Sequence, residues 1–135
     1  MAITIRLPLP VFGFAAAALL LAAPAARAQE ASGPYNPALA GRGKSLFSSK
    51  GCNGCHSIGK GRMAGPDLLG VTDRRTPEWL KKFIKDPPAM FGSDSTAAAL
   101  VAEAKGAKMP NLHLQDSDIE ALLSYFAQET AAKKK

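Results

Sequence analysis

The chain has 135 residues, a formal net charge of +6, and only two cysteines and two histidines. That length suits one small domain rather than several. The basic excess comes with no basic helix and no aromatic series on which bases could stack, which argues against nucleic acid as a partner.

The first predicted element is a targeting segment. Arg6 is followed by the apolar run "LPLPVFGFAAAALLLAAPAA" and then by Ala26-Arg27-Ala28. A charged start, an apolar centre and a small-x-small end spell a secretory signal peptide, residues 1–28, cleaved after Ala28. The run is long enough for a retained membrane anchor to be weighed. Pro8, Pro10, Gly13 and the Ala-Arg-Ala site favour cleavage, which predicts a periplasmic protein with no stable membrane insertion afterwards. Loss of Arg6 and Arg27 lowers the formal charge from +6 to +4, and the last three positives are a "KKK" end expected to be solvated.

Residues 29–36, with Pro34, read as a short linker. The folded domain is expected over 37–130, followed by a basic tail, 131–135. Asn36 is a fair cap and Pro37 a fair first residue for a helix running through Leu39, Gly43, Leu46 and Phe47, with Gly51 ending it. "TPEWLKKFIKDPP" predicts a second helix, capped by Thr76, opened by Pro77 and stopped at Asp86-Pro87-Pro88. "SDSTAAALVAEAKG" predicts a third, with Ser93 or Asp94 as cap and Gly106 as stop, but its apolar side is thin. The last helix carries Ile119, Leu122, Leu123 and Phe126 at i, i+3, i+4 and i+7. Ser117 with Glu120 offers it a capping box, or Asp116 a simple cap. No run alternates in the manner of a strand, so the fold class is all-α. Two glycine- and proline-rich loops, 57–75 and 86–94, cost entropy that a large apolar cofactor between them would offset.

Both thiols sit in "KGCNGCHSIG", as Cys52 and Cys55, with His56 next. A disulfide across so short a loop would restrict the unfolded chain little. A thioredoxin-like dithiol would follow a strand and open a helix, whereas this pair follows a helix and precedes a glycine-rich loop. Zinc needs about four ligands, and the only other imidazole is His113. The spacing is instead the attachment signature of a c-type haem. Each thiol adds across one vinyl group, and His56 follows as the proximal iron ligand. For the opposite axial position, Met63 is too close in sequence to His56 to cross the ring, and Met90 reads as a core gap-filler. His113 would give bis-histidine ligation. Met109, in "GAKMPNL" before the last helix, is the preferred distal ligand.

With these motifs in order, almost the whole mature domain resembles the class I monohaem cytochromes c, especially bacterial ones. "GKSLFSSKGCNGCHSIG" resembles their first helix and haem site, "GPDLLGV" the loop under the haem, "TPEWLKKFIKDP" the middle helix, and "KMPNLHLQDSDIEALLSYF" the methionine loop and last helix. The resemblance implies a small cytochrome c fold of about four helices round one covalent haem c. It implies thioether bonds at Cys52 and Cys55, iron ligation by His56 and Met109, and a Pro66 carbonyl accepting the other His56 ring N–H. It also implies that Gly43 and Phe47 cross Leu122 and Tyr125, and that Arg74, Arg75 or Trp79 meets the haem propionates. The stretch between Pro88 and Met109 is longer than in the compact mitochondrial type.

The expected function is one-electron transfer between Fe(III) and Fe(II), not catalysis, between respiratory or dehydrogenase partners with acidic surfaces. Lys50, Lys60, Lys105 and Lys108 lie near the haem edge in sequence terms. The rival is a haem protein with a labile sixth site, peroxidase-like or gas-sensing.

Overall fold

The computed structural model describes residues 34–135. The expected signal segment, 1–28, lies outside the described residues. Every regular element among those described is helical. A 3-10 turn at Pro37–Leu39 leads into α1 (Ala40–Ser49), and a second turn, Cys52–Gly54, carries the cysteines. Then follow α2 (Val71–Arg74), α3 (Pro77–Lys85), α4 (Pro87–Met90), α5 (Ser95–Glu103) and α6 (Asp116–Lys133). Among these described residues there are thus four longer helices, as expected, and two single turns within the stretches 57–75 and 86–94, where the sequence predicts loops.

The local chemistry of the helix ends explains the differences. Asn36 accepts the Ala38 N–H as expected, but the chain takes a 3-10 turn before α1 begins. Gly51 closes α1 at φ 74°, a conformation that favours glycine. Thr76 accepts the Trp79 N–H and Pro77 opens α3. Asp86-Pro87-Pro88 does stop α3, yet Pro87 suits a first helical position equally well, so α4 starts at once. Asp94, rather than Ser93, caps α5. At α6 the capping box is Gln115 with Asp118, not Ser117 with Glu120. Glu120 faces α3 instead and pairs with Lys81 at 3.3 Å.

α1 and α6 cross at the centre of the fold. A Cβ added to Gly43 would lie 2.0 Å from the Ala121 carbonyl oxygen and 2.7 Å from the Tyr125 Cβ, so only glycine permits the approach. Ala121, rather than Leu122, is the point of closest contact. Phe47 then meets Phe126 edge-on at 5.9 Å and Tyr125 at the same separation. Phe47, Leu80, Leu114, Ile119, Leu122, Leu123 and Phe126 form the core, each large side chain contributing about 1.5–3 kcal/mol on burial. Tyr35, from the segment read as a linker, packs against it. Ion pairs Arg42–Asp118 and Lys85–Asp116 fasten α1 and α3 to α6 at the surface, where each adds roughly 0–1 kcal/mol. No helix of the described residues is long and apolar enough to cross a membrane.

Gly43→Ala is expected to destabilise the domain by about 1–3 kcal/mol, because the obstructing atoms are backbone and cannot rotate away. Denaturant titration measures this, and a variant as stable as the parent would show that α1 and α6 can separate without loss.

Candidate functional site

Between the cysteine turn, α3, α5 and α6 lies a cavity of about 210 Å³. Ordinary packing leaves few voids larger than a water molecule, so this one is built to hold something. Its walls are apolar, with Leu68, Leu80, Phe83, Val101, Leu112 and Leu122 among them. Cys52, Cys55, His56 and Met109 all line it.

The proximal side is shaped by backbone. After Gly51, the Cys55 and His56 N–H groups both donate to the Cys52 carbonyl, at 3.2 and 2.9 Å, which coils the pair so that Cys52, Cys55 and His56 all reach the cavity. The two thiols are not joined to each other. Burial pushes the Cys52 thiol above its ordinary value, the opposite of the lowered value that makes a dithiol reactive. His56 Nδ1–H donates to the Pro66 carbonyl at 2.9 Å, which leaves Nε2 as the free ring nitrogen. Gly65 lies flat against the imidazole. A Cβ there would sit 2.3 Å from His56 Cε1, so the ring occupies the space a side chain would need.

The loop carrying Gly65 and Pro66 is wound round Asp67. The Asp67 carboxylate accepts N–H bonds from Gly59, Gly61 and Leu69, and the Ser57 hydroxyl donates to the Gly61 carbonyl. Burial alone would raise the Asp67 carboxyl, but these bonds outweigh it and hold it below the usual carboxylate range. Its folded value is therefore below its unfolded one. Its stabilisation of the loop is present above the ordinary carboxylate range and is lost as pH falls through the lowered value.

Met109 is half-buried and lines the same cavity from the loop before α6. Just beyond it, Asn111 donates to Asp86 at 3.1 Å and ties the loop to the end of α3. The other candidates are elsewhere. Met90 is 2% exposed and packed away from the cavity, Met63 is 47% exposed, and His113 is exposed and does not line the cavity.

A second opening, about 260 Å³, shares Pro66, Val71, Trp79 and Leu100 with the first. Arg62, Arg74 and Arg75 surround it, together with Asp67 and Glu103. Arg74 is committed to the loop, donating to the carbonyls of Leu69 at 2.6 Å and Asp67 at 3.1 Å. The Trp79 indole N–H donates to Asp94 at 3.1 Å, while its ring stacks on Phe83 and lies under Arg75. Arg62 pairs with Glu103 of α5. Of the four lysines, Lys50 and Lys108 line the first cavity; Lys60 and Lys105 do not.

Gly65, Asp67, Asp94 and the Arg62–Glu103 pair had not been singled out from sequence as site residues. Gly65 had a visible signal, since it stands beside Pro66 in the quoted loop. Asp67 had one too, with glycines at 59 and 61 to supply open N–H groups.

An apolar cavity lined by an imidazole, a thioether and two thiols, with guanidinium groups round the adjoining opening, fits haem in its chemistry. The cytochrome c family model matches residues 40–129. No curated protein sequence matches. Among solved structures, the chain is similar to cytochrome c from Rhodothermus marinus, with 31% identity and a TM-score of 0.67, covering 72% of this chain and 81% of that one. An engineered form of that protein bound to a carbene intermediate matches at 30% identity and a TM-score of 0.62, covering 71% and 80%. The cytochrome c domain of a Pseudomonas putida protein matches at 35% identity and a TM-score of 0.61, covering 68% and 91%. The chain belongs to the cytochrome c family, as a monohaem, class I-like member that carries haem c covalently.

Proposed function

We propose that the protein is a periplasmic one-electron carrier whose iron is closed on both sides by its own residues, His56 and Met109. The observation that carries this reading is that His56 and Met109 line one cavity, whereas Met63, Met90 and His113 do not. When bound, haem supplies an iron that cycles between Fe(III) and Fe(II). Cys52 and Cys55 would tether the ring through thioether bonds. His56 presents Nε2, with its tautomer held by the Pro66 carbonyl. Met109 presents a neutral sulfur, which favours the reduced state and raises the potential.

The surrounding chain does three further things. Leu68, Leu80, Phe83 and Leu122 would keep water from a bound ring. Arg62, Arg74 and Arg75, round the adjoining opening with Trp79, would supply positive charge to the ring carboxylates. Lys50 and Lys108, at the cavity, supply the charge that guides a redox partner with an acidic surface.

The test is an absorption spectrum of the exported protein, oxidised and reduced, with carbon monoxide added. The expected result is low-spin haem with a methionine–iron charge-transfer band and no change on adding carbon monoxide. A carbon monoxide shift in the parent would replace this reading with the labile-site one, peroxidase-like or gas-sensing.

Substitution separates the methionines. Met109→Ala is expected to abolish the charge-transfer band and admit carbon monoxide. Met90→Ala should leave the spectrum intact while costing about 2–5 kcal/mol of stability, as truncation of a buried methionine does. The reverse pattern would move the sixth ligand to Met90. Gly65→Ala places a methyl group against the imidazole and is expected to lower the fraction of six-coordinate protein. An unchanged low-spin spectrum would mean that His56 does not need that space.

A further inference from the structure

Pro66 gives His56 its hydrogen-bond acceptor, the carbonyl oxygen, and that oxygen belongs to the peptide unit joining Pro66 to Asp67. The unit is planar, so the direction of the C=O follows from how Asp67 is held. Asp67 is held from several sides. Its Oδ1 accepts the N–H groups of Gly59 and Leu69, both at 2.8 Å, and its Oδ2 accepts that of Gly61 at 2.6 Å. Two donors come from the limb of the loop before Pro66 and one from the limb after it. Arg74 holds the Asp67 carbonyl from outside at 3.1 Å. The backbone adds Gly65 N–H to the Cys55 carbonyl and Leu68 N–H to the Ser57 carbonyl, on either side of the Pro66–Asp67 unit.

We infer that Asp67 is a positioning residue for the iron ligand: its carboxylate aims the Pro66 carbonyl at His56 Nδ1–H and thereby sets how strongly His56 donates through Nε2. The inference rests on the reading of His56 as an axial ligand. A firm Nδ1–H···O bond makes the imidazole a better donor and stabilises Fe(III). Loosening the bond weakens the donor, and the reduction potential rises. Removal of the Asp67 charge also raises the potential, so the two causes must be separated.

Two variants of the haem-loaded protein do so. Asp67→Asn keeps an oxygen for Gly59 and Leu69 but turns an NH₂ toward Gly61. Asp67→Ala loses all three bonds. Both remove the same charge. The readouts are the reduction potential and the exchange rate of the His56 Nδ1 proton, followed by NMR in the reduced state. The expected result is a graded rise in potential, parent below Asn below Ala. Nδ1 exchange should accelerate in the same order, by on the order of tenfold for each charge-assisted bond lost. Equal potentials in the two variants with exchange at the parent rate would reduce Asp67 to a nearby charge and overturn the inference. A fall in thermal stability with neither readout moved would reduce it to a loop staple and overturn it equally. If Asp67→Ala does not fold, Nδ1 exchange in Asp67→Asn against the parent decides. A parent protein whose own spectrum lacks histidine-ligated haem would fail the ligand reading itself, before any variant is compared.

Discussion

The backbone of α1 rests on the Ala121 carbonyl at Gly43, and the placing of the site follows from that contact. α1 ends within a few residues of Cys52, and α6 begins within a few residues of Met109. The two helices therefore carry the two sides of the cavity at their ends. A crossing fixed by backbone against backbone has little freedom to slide, because no side chain can rotate to absorb a shift. His56 and Met109 are then placed on this frame by their own loops, through Asp67 on one and the Asn111–Asp86 bond on the other. Phe47 and Phe126, edge to face in the core, lock the rotation about the same crossing.

Between the helices the chain has long irregular stretches, and aspartates organise them. Asp67 gathers the N–H groups of the loop under His56. Asp94 caps α5 and accepts the Trp79 indole N–H, so the start of α5 is tied to α3. Asp86 holds Asn111, just past Met109. These carboxylates serve backbone, indole and amide donors rather than acting as free surface charge. A bonded carboxylate is one of the stronger acceptors available to a loop, which is why three such residues can order so much chain without a sheet or a large core.

The pattern of legibility has a physical basis. Cys52, Cys55 and His56 stand out in sequence because the attachment signature has a fixed spacing, and the structure brings all three to one cavity. Thr76-Pro77 and the stripe of Ile119, Leu122, Leu123 and Phe126 were readable because caps and helical periodicity are local. Met109 was separable from Met90 only by its flanking Pro110 and its place before α6, and the structure puts the two on opposite sides of the distinction between lining and packing. What sequence did not disclose is non-local. Nothing near Gln115 says that it outcompetes Ser117 as a cap, and nothing in "GPDLLGV" says that Asp67 will find Gly59 and Gly61. Trp79 illustrates the limit: resemblance offers it as one of three candidates to meet the propionates, but the partner of its N–H lies fifteen residues away, at the cap of α5.

α5 buries only Ala97 against protein, and its main helical neighbour is the single turn α4. Its larger residues, Leu100 and Val101, together with Ala104 beyond its end, line the cavity. The helix thus has a borrowed core, in which the apolar surface that would stabilise it belongs to the cofactor and not to the chain. Apart from its ends, the Arg62–Glu103 pair is what fastens it, and an exposed pair of that kind contributes little. Folding of this segment is therefore linked to occupancy of the slot, in the way that any ligand stabilises the state it binds.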